Sequence, residues 1–325
     1  MTRAIIIDQY GGPEVLQWKE ISLSVPGPGE ALVRQTAVGL NFIDVYHRTG
    51  LYPLPSLPAV IGSEAAGRVE AIGPGVTEVT VGDRVAYAGG PTGAYTEARV
   101  IPAQRLVKLP DGISDPQAAA MMLKGMTAEY LLRRAFMVKP GDTILIHAAA
   151  GGVGTIASQW AKQLGATVIG TVGSRRKAAI AAARGCDHLI VTGEEDFVAR
   201  VREITRGEGV PVVYDSVGKD TFLRSLDCLK SRGMMVSFGQ SSGMVPMLEI
   251  TILSTKGSLF LTRPTLMHYT AKREELQACA SALFDAVLHG GVKIEIGQTY
   301  PLQDASKAHA DLESRKTTGS TILIP

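Results

Sequence analysis

The run TILIHAAAGGVG, Thr143 to Gly154, decides the fold. Four apolar, strand-like residues lead into a small-residue turn, and a helix follows at once. After Val153 the apolar residues are Ile156, Ala157, Trp160, Ala161 and Leu164, which fall on one helical face, and Gly165 is placed to end that helix. A pyrophosphate binds such a turn because the helix N-terminus offers unpaired N–H groups and a positive dipole end. A side chain at Gly151 or Gly152 would obstruct its approach, and Gly154 lets helix and strand pack closely. Ala148 replaces the first glycine of the usual three-glycine pattern. Gly151, Gly152 and Val153 are therefore the expected diphosphate contacts.

The next strand end carries the ribose position. Chains that bind NAD usually place an Asp or Glu there for the 2′-hydroxyl. Here the residues are VGSRRK, Val172 to Lys177. A carboxylate would repel a 2′-phosphate, whereas Ser174 and the bases Arg175, Arg176 and Lys177 would receive one. Gly173, Ser174 and Lys177 are expected to surround it, and NADPH is the expected cofactor. Thr192, after the third strand, is expected near the adenine. Val217, Phe238, Gly239 and Ser241 follow later strands, at the carboxyl ends where open α/β sheets bind ligands.

Working outward, strands are expected at Thr143–His147, Thr167–Val172, His188–Val191, Pro211–Asp215, Met234–Phe238 and Gly257–Leu261. Helical segments separate the first five, which demands a parallel sheet with helices on both faces. Upstream the texture differs. Short strands at Ala4–Asp8, Glu30–Val38, Ala66–Ile72, Arg84–Tyr87 and Ala94–Val100, separated by Gly- and Pro-rich turns, predict a barrel-like all-β unit. Pro116–Phe136 and Leu276–Leu288 read as helices. Val292–Tyr300 is strand-like, Leu302–Glu313 a short helix and Ser320–Ile324 a last strand. The fold class is α/β, a Rossmann-type doubly wound sheet beside a β-barrel unit.

The 325 residues are 45% hydrophobic and 20% charged, with net charge +2. The bases are scattered, which disfavours nucleic acid as main partner. Cys186, Cys228 and Cys279 form no CxxC pair, so neither a zinc knuckle nor a disulfide framework is expected. No signal peptide and no membrane span is read, and a cytoplasmic location is expected.

Several separated motifs keep their order along nearly the whole chain: NFIDVY from Asn41, GSEAAG from Gly62, GDRVAY from Gly82, the Ala148–Gly154 turn, YDSVG from Tyr214, SFGQ from Ser237, Arg263-Pro264 and LESR from Leu312. Together they resemble the zinc-free quinone oxidoreductase (ζ-crystallin-like) branch of the medium-chain dehydrogenase/reductase superfamily. The resemblance implies a GroES-like catalytic domain over 1–123 and 268–325 and a Rossmann domain over 124–267. It places Asn41, Ser63 and Leu123 where zinc alcohol dehydrogenases keep their metal ligands, so no metal is expected. The six histidines form no ligand-spaced pair.

The resemblance also implies the site. Asn41 would lie on the floor of the nicotinamide cleft, with Phe42 and Tyr46 beside it and Tyr52 on its wall. Asn41, Tyr46 and Tyr52 are the candidate catalytic residues, with Tyr46 a candidate donor to a quinone oxygen; aromatic packing is the alternative for both tyrosines. Thr127 and Tyr130, at the start of the helix leading into the second domain, would flank the nicotinamide and phosphates. Leu261, Arg263 and Arg315 would close over the nicotinamide end. Glu64 is expected to be structural, and Asp215 a turn residue. NADPH-dependent quinone reduction is the leading expectation. Reduction of enones or enals by the same cleft is the second, and a non-enzymatic NADPH- or RNA-binding role the third. A homodimer is expected, with the apolar segment Met244–Leu261, read as β-rich, extending a sheet into its twin.

Overall fold

The computed structural model describes residues 1–325. The strand that opens the decisive run is β1, Thr143–Ile146. It is followed by β2 (Thr167–Val172), β3 (His188–Val191), β4 (Val210–Asp215), β5 (Leu229–Ser237) and β6 (Phe260–Thr262). In space the order is β3-β2-β1-β4-β5-β6, and every neighbouring pair is parallel. The order reverses at β1, so the chain leaves β1 and β4 on opposite sides and opens a crevice at their carboxyl ends. Leu145, Ile169, Ile190, Val213 and Met235, one from each of β1 to β5, are buried against Phe197, Val201, Phe222 and Leu226. The helix Gly152–Gln163 buries Ile156, Ala157, Trp160 and Ala161, the face read from its spacing.

This sheet belongs to one compact unit, 127–268 with 290–293; the other holds 1–126, 269–289 and 294–325. The breaks expected after 123 and before 268 stand beside unit boundaries after 126 and before 269. The helix Asp115–Tyr130 runs unbroken past the first, which also puts Thr127 and Tyr130 in its last turn, not at its start. Gly290–Lys293 joins the sheet unit, where the Gln159 amide bonds both the N–H and the carbonyl of Lys293.

The segment Met244–Leu261 is not β-rich. Residues 244–250 form no strand, Thr251–Thr255 is a short helix, and only β6 is extended. Val245, Leu248, Ile252 and Leu253 turn inward against the sheet core, while Met244, Met247 and Ile250 are exposed. β6 is also shifted from Gly257–Leu261, because Gly257 has φ +113°, a turn conformation outside the strand region.

In the first unit Glu30–Leu40 is the long central strand. It pairs antiparallel with Glu64–Ile72, Ala98–Pro102 and Ser320–Ile324. Arg84–Ala88, Val107–Lys108 and Ile296–Pro301 extend that sheet. A three-stranded sheet is built from Gln17–Ile21, Thr2–Ile7 and Ala59–Val60. Ile5, Val33, Leu40, Ile61, Val85, Tyr95 and Ile101 fill the space among them. The strand expected from Ala94 starts only at Ala98, because Tyr95 and Glu97 bond instead to Ile5 and Arg3.

Candidate active site

The turn after β1 has the shape its residues demand. Ala148 adopts φ +52°, the left-handed region in which a Cβ costs about 1–2 kcal/mol. That is why glycine commonly fills this position. Gly151 caps the helix Gly152–Gln163 in extended conformation, so the N–H groups of the first turn, Gly152 and Val153 included, have no partner within the helix. A Cβ on Gly154 would stand 2.4 Å from the Ala148 carbonyl oxygen, so this glycine serves internal packing.

His147, the residue before the turn, is 1% exposed. Its Nδ1 lies 2.8 Å from Thr171 Oγ1 and its Nε2 2.8 Å from Ser225 Oγ. The Ser225 hydroxyl donates to the Thr221 carbonyl, so its oxygen accepts from Nε2–H, and Thr171 donates to Nδ1. Burial holds the ring neutral by lowering its pKa. His147 thus ties β1 to β2 and to the helix Phe222–Ser225. The Asp215 carboxylate accepts from the N–H groups of Val217 and Gly218 and from Thr221 Oγ1, and so shapes the turn after β4.

At the end of β2, nothing lies within 4 Å of the Cβ position of Gly173, leaving open space beside a helix N-terminus. Ser174 caps the helix Arg175–Ala182 by accepting from Lys177 N–H at 3.4 Å. Ser174 and Lys177 are half-buried, and Arg176 is exposed. Arg175 turns away to pair with Glu194 at 2.8 Å. Thr192 is exposed at the end of β3, its N–H bonded to the Val172 carbonyl. Beyond β4 and β5, Val217, Phe238 and Gly239 are half-buried and Ser241 is exposed. Arg263 donates to the carbonyls of Ser237 at 2.8 Å and Gly239 at 3.0 Å, bracing that strand end. Leu261 is exposed on β6, whereas Thr127 and Tyr130 are buried.

The other candidates lie in the first unit. Asn41 precedes the helix Phe42–Thr49, whose Asp44 accepts from the Asn41 N–H at 2.9 Å. The Asn41 side-chain amide donates to Glu64 Oε2 at 2.8 Å. Glu64, wholly buried, also accepts from Leu123 N–H at 2.7 Å and faces the Lys124 ammonium at 3.4 Å. Lys124 is itself buried and donates to the Leu40 carbonyl. Tyr46 is buried and its ring meets Tyr52 edge-on at 5.1 Å and Phe42 at 6.3 Å. Arg315 is exposed, with φ +59° after the helix Ala305–Glu313.

Asp44 extends this cluster. Its carboxylate accepts from Ser63 Oγ at 2.8 Å and Tyr95 OH at 3.1 Å. Burial pushes its pKa up to about 7, against the lowering effects of Ser63, Asn41, Tyr95 and the Lys124 charge. Tyr95 in turn meets His309 Nε2 at 3.0 Å, and His309 Nδ1 lies 3.2 Å from Arg48, which binds Glu313 through two hydrogen bonds. Arginine can only donate, so Nδ1 accepts and the neutral ring carries its proton on Nε2. Burial, and then the Arg48 charge, pull the His309 pKa down to about 3.

Reading the sequence did not single out Asp44 or the Lys124 side chain. The available signals were an acid three residues after a helix-capping Asn and a lone charge within the apolar run AAAMMLKGM. The positions implied for zinc ligands hold Asn41, Ser63 and Leu123. The first two are engaged with Glu64 and Asp44, and no group of three His, Cys, Asp or Glu residues is arranged to hold a metal.

Comparison with known proteins agrees along the whole length. Residues 27–111 match the alcohol dehydrogenase GroES-like domain and residues 152–285 the zinc-binding dehydrogenase family. A quinone oxidoreductase of Pseudomonas aeruginosa is 54% identical over all of both chains. A 2-haloacrylate reductase of a Burkholderia species is 48% identical, covering 100% of this chain and 99% of its own. The crystal structure of Escherichia coli quinone oxidoreductase complexed with NADPH superimposes with a TM-score of 0.98 at 51% identity, covering 99% of this chain and 100% of that one.

Proposed function

The chain belongs to the zinc-free quinone oxidoreductase branch of the medium-chain dehydrogenase/reductase superfamily, and from that premise we propose that it is an NADPH:quinone oxidoreductase. The observation that carries the reading is the end of β2: open space at Gly173, Ser174 and Lys177 beside it, and no carboxylate at the ribose position. NADPH, when bound, supplies the hydride. The first-turn N–H groups of Gly152 and Val153 hold the diphosphate, and Ser174 and Lys177 with the exposed Arg176 hold the 2′-phosphate. Arg263, which braces Ser237 and Gly239, shapes the nicotinamide end with Phe238, Leu261 and Arg315; Thr192 lies near the adenine, and Val217, Ser241, Thr127 and Tyr130 are further cofactor contacts.

On the substrate side, Glu64 and Asp44 fix Asn41 and the start of the helix that carries Phe42 and Tyr46. Tyr46 and Tyr52 offer phenol hydroxyls to a quinone oxygen as negative charge develops on it. The domain division at 124 and 267, adjusted to the compact units, assigns the diphosphate turn to one domain and the tyrosines to the other. The three cysteines are free and buried, which fits a cytoplasmic location. No helix is long and apolar enough to cross a membrane. A homodimer through the exposed edge β6 accounts for Phe260, 57% exposed.

The test is oxidation of NADPH against a quinone panel, with NADH as control and Lys177→Glu alongside. NADPH is expected to be preferred, and the variant to lose at least tenfold of that preference. Equal use of NADH together with an unaffected variant would refute the assignment. The 48% identical 2-haloacrylate reductase favours one second reading, hydride delivery to a conjugated carbon–carbon double bond. Turnover of 1,4-benzoquinone against an α,β-unsaturated ketone separates the two.

A further inference from the structure

The first unit contains a pocket of ≈ 210 Å³ that the proposed reaction does not use. Leu23, Val60 and Val100 are among its apolar walls, Ser22 and Ser24 line it with hydroxyls, and Arg99 is its single charged residue.

Arg99 is 9% exposed. Its Nη2 donates to the carbonyls of Pro91 at 3.2 Å and Thr92 at 3.1 Å, and the guanidinium carbon stands 5.3 Å from the centroid of the Tyr87 ring. Nη1 is screened from solvent and has no acceptor. No carboxylate pairs with this guanidinium. The Thr96 hydroxyl, also at the pocket, is already committed to the carbonyls of Arg3 and Ala98.

A buried cation needs an anion or a full set of acceptors, because its lost hydration is expensive. Two carbonyls and the Tyr87 side chain, through its ring face and a hydrogen bond, meet part of that need, and a donor left unpaired is destabilising in its own right. The fold therefore presents a buried positive charge, short of one acceptor, at the wall of a pocket lined by both apolar and hydroxyl-bearing side chains. We propose that this pocket binds a small organic carboxylate. Its oxygens complete the Arg99 hydrogen bonds, with a small side-chain adjustment to reach Nη1, and its hydrocarbon part lies against Leu23, Val60 and Val100. A single guanidinium, with Leu23, Val60 and Val100 on one part of the wall and the Ser22 and Ser24 hydroxyls on another, matches one carboxylate on a short hydrocarbon body. It suits a phosphate dianion poorly, since that ion calls for more donors and a second positive charge.

The experiment is calorimetric titration of the whole protein with acetate, butanoate, hexanoate and inorganic phosphate at constant ionic strength. Saturable binding is expected for the alkanoates, tightening about fourfold for each methylene buried. Arg99→Gln is expected to weaken hexanoate at least tenfold. Because that change removes a buried side chain, Leu23→Glu provides an independent arm: it keeps Arg99, places a carboxylate at the pocket wall, and is expected to abolish binding by occupying the guanidinium and repelling the ligand. No saturable alkanoate binding, binding unchanged in Leu23→Glu, or phosphate binding as tightly as hexanoate would each overturn the proposal.

Discussion

The turn after β1 and the cluster around Glu64 solve opposite problems. The turn is one continuous stretch, and its groups are backbone N–H groups left free by the start of a helix. The cluster draws on separate segments: Asn41 and Asp44 from a helix start, Glu64 from a strand and Ser63 from the bend before it, Leu123 and Lys124 from another helix, Tyr95 from a loop. The turn depends on the absence of side chains, the cluster on their mutual satisfaction. A substitution in the turn should therefore act through sterics and one in the cluster through uncompensated charge.

The largest expected effect breaks the cluster. Lys124→Met leaves the buried Glu64 without its cation and is expected to destabilise the protein by about 3–5 kcal/mol. The double variant Glu64→Gln/Lys124→Met should regain most of that loss in denaturant unfolding. Full additivity of the two single effects would show that the charges do not act as a pair. Gly154→Val tests the turn: overpacking against the Ala148 carbonyl is expected to cost about 2–3 kcal/mol and to weaken NADPH binding, read by fluorescence titration. Unchanged binding would mean that the close approach is not needed.

Acid sharpens the contrast between the two buried histidines and Asp44. The folded His309 pKa, about 3, lies below the unfolded value of about 6.5. The unfolded chain therefore binds a proton that the folded one does not, and stability falls as pH drops from about 6.5 towards 3. His147 is shifted in the same direction. Asp44 works oppositely. Its raised pKa, about 7, makes the folded state bind the extra proton above the unfolded value of about 3.9, so stability rises as pH falls from 7 to 4. His309→Gln should thus flatten the acid-side loss by up to about 1.4 kcal/mol per pH unit, measured by unfolding between pH 4 and 6.5. A slope identical to the parent protein would show that His309 is already protonated when folded. The smallest effect belongs to Ala148→Gly, which relieves the positive φ and is expected to stabilise by about 0.5–1 kcal/mol after the entropy of glycine is set against it.

The same division explains what reading the chain achieved. The turn, the helix face from Ile156 to Leu164 and the strands β2 and β3 were legible because each is specified by neighbours in sequence. Glu64 was legible as a structural acid, but its partners were not, since they lie 23 and 60 residues away. The segment 244–261 misled because β-branched and apolar residues serve equally for an inward-packed loop and for a strand. Only the position of Val245, Leu248, Ile252 and Leu253 on the core distinguishes the two.

By itself, then, the amino-acid order determined the parallel α/β sheet, the glycine turn after β1 and the lack of an acid at the end of β2. Helix periodicity, turn chemistry and strand alternation are local, and hydrogen bonding along the backbone enforces them wherever the chain goes. Tertiary structure alone decided which carboxylate meets Lys124, that His309 stays neutral, and that Arg99 has no counter-charge. Those outcomes depend on which distant groups are brought together out of water, where an unpaired charge or donor is far more costly than in solution.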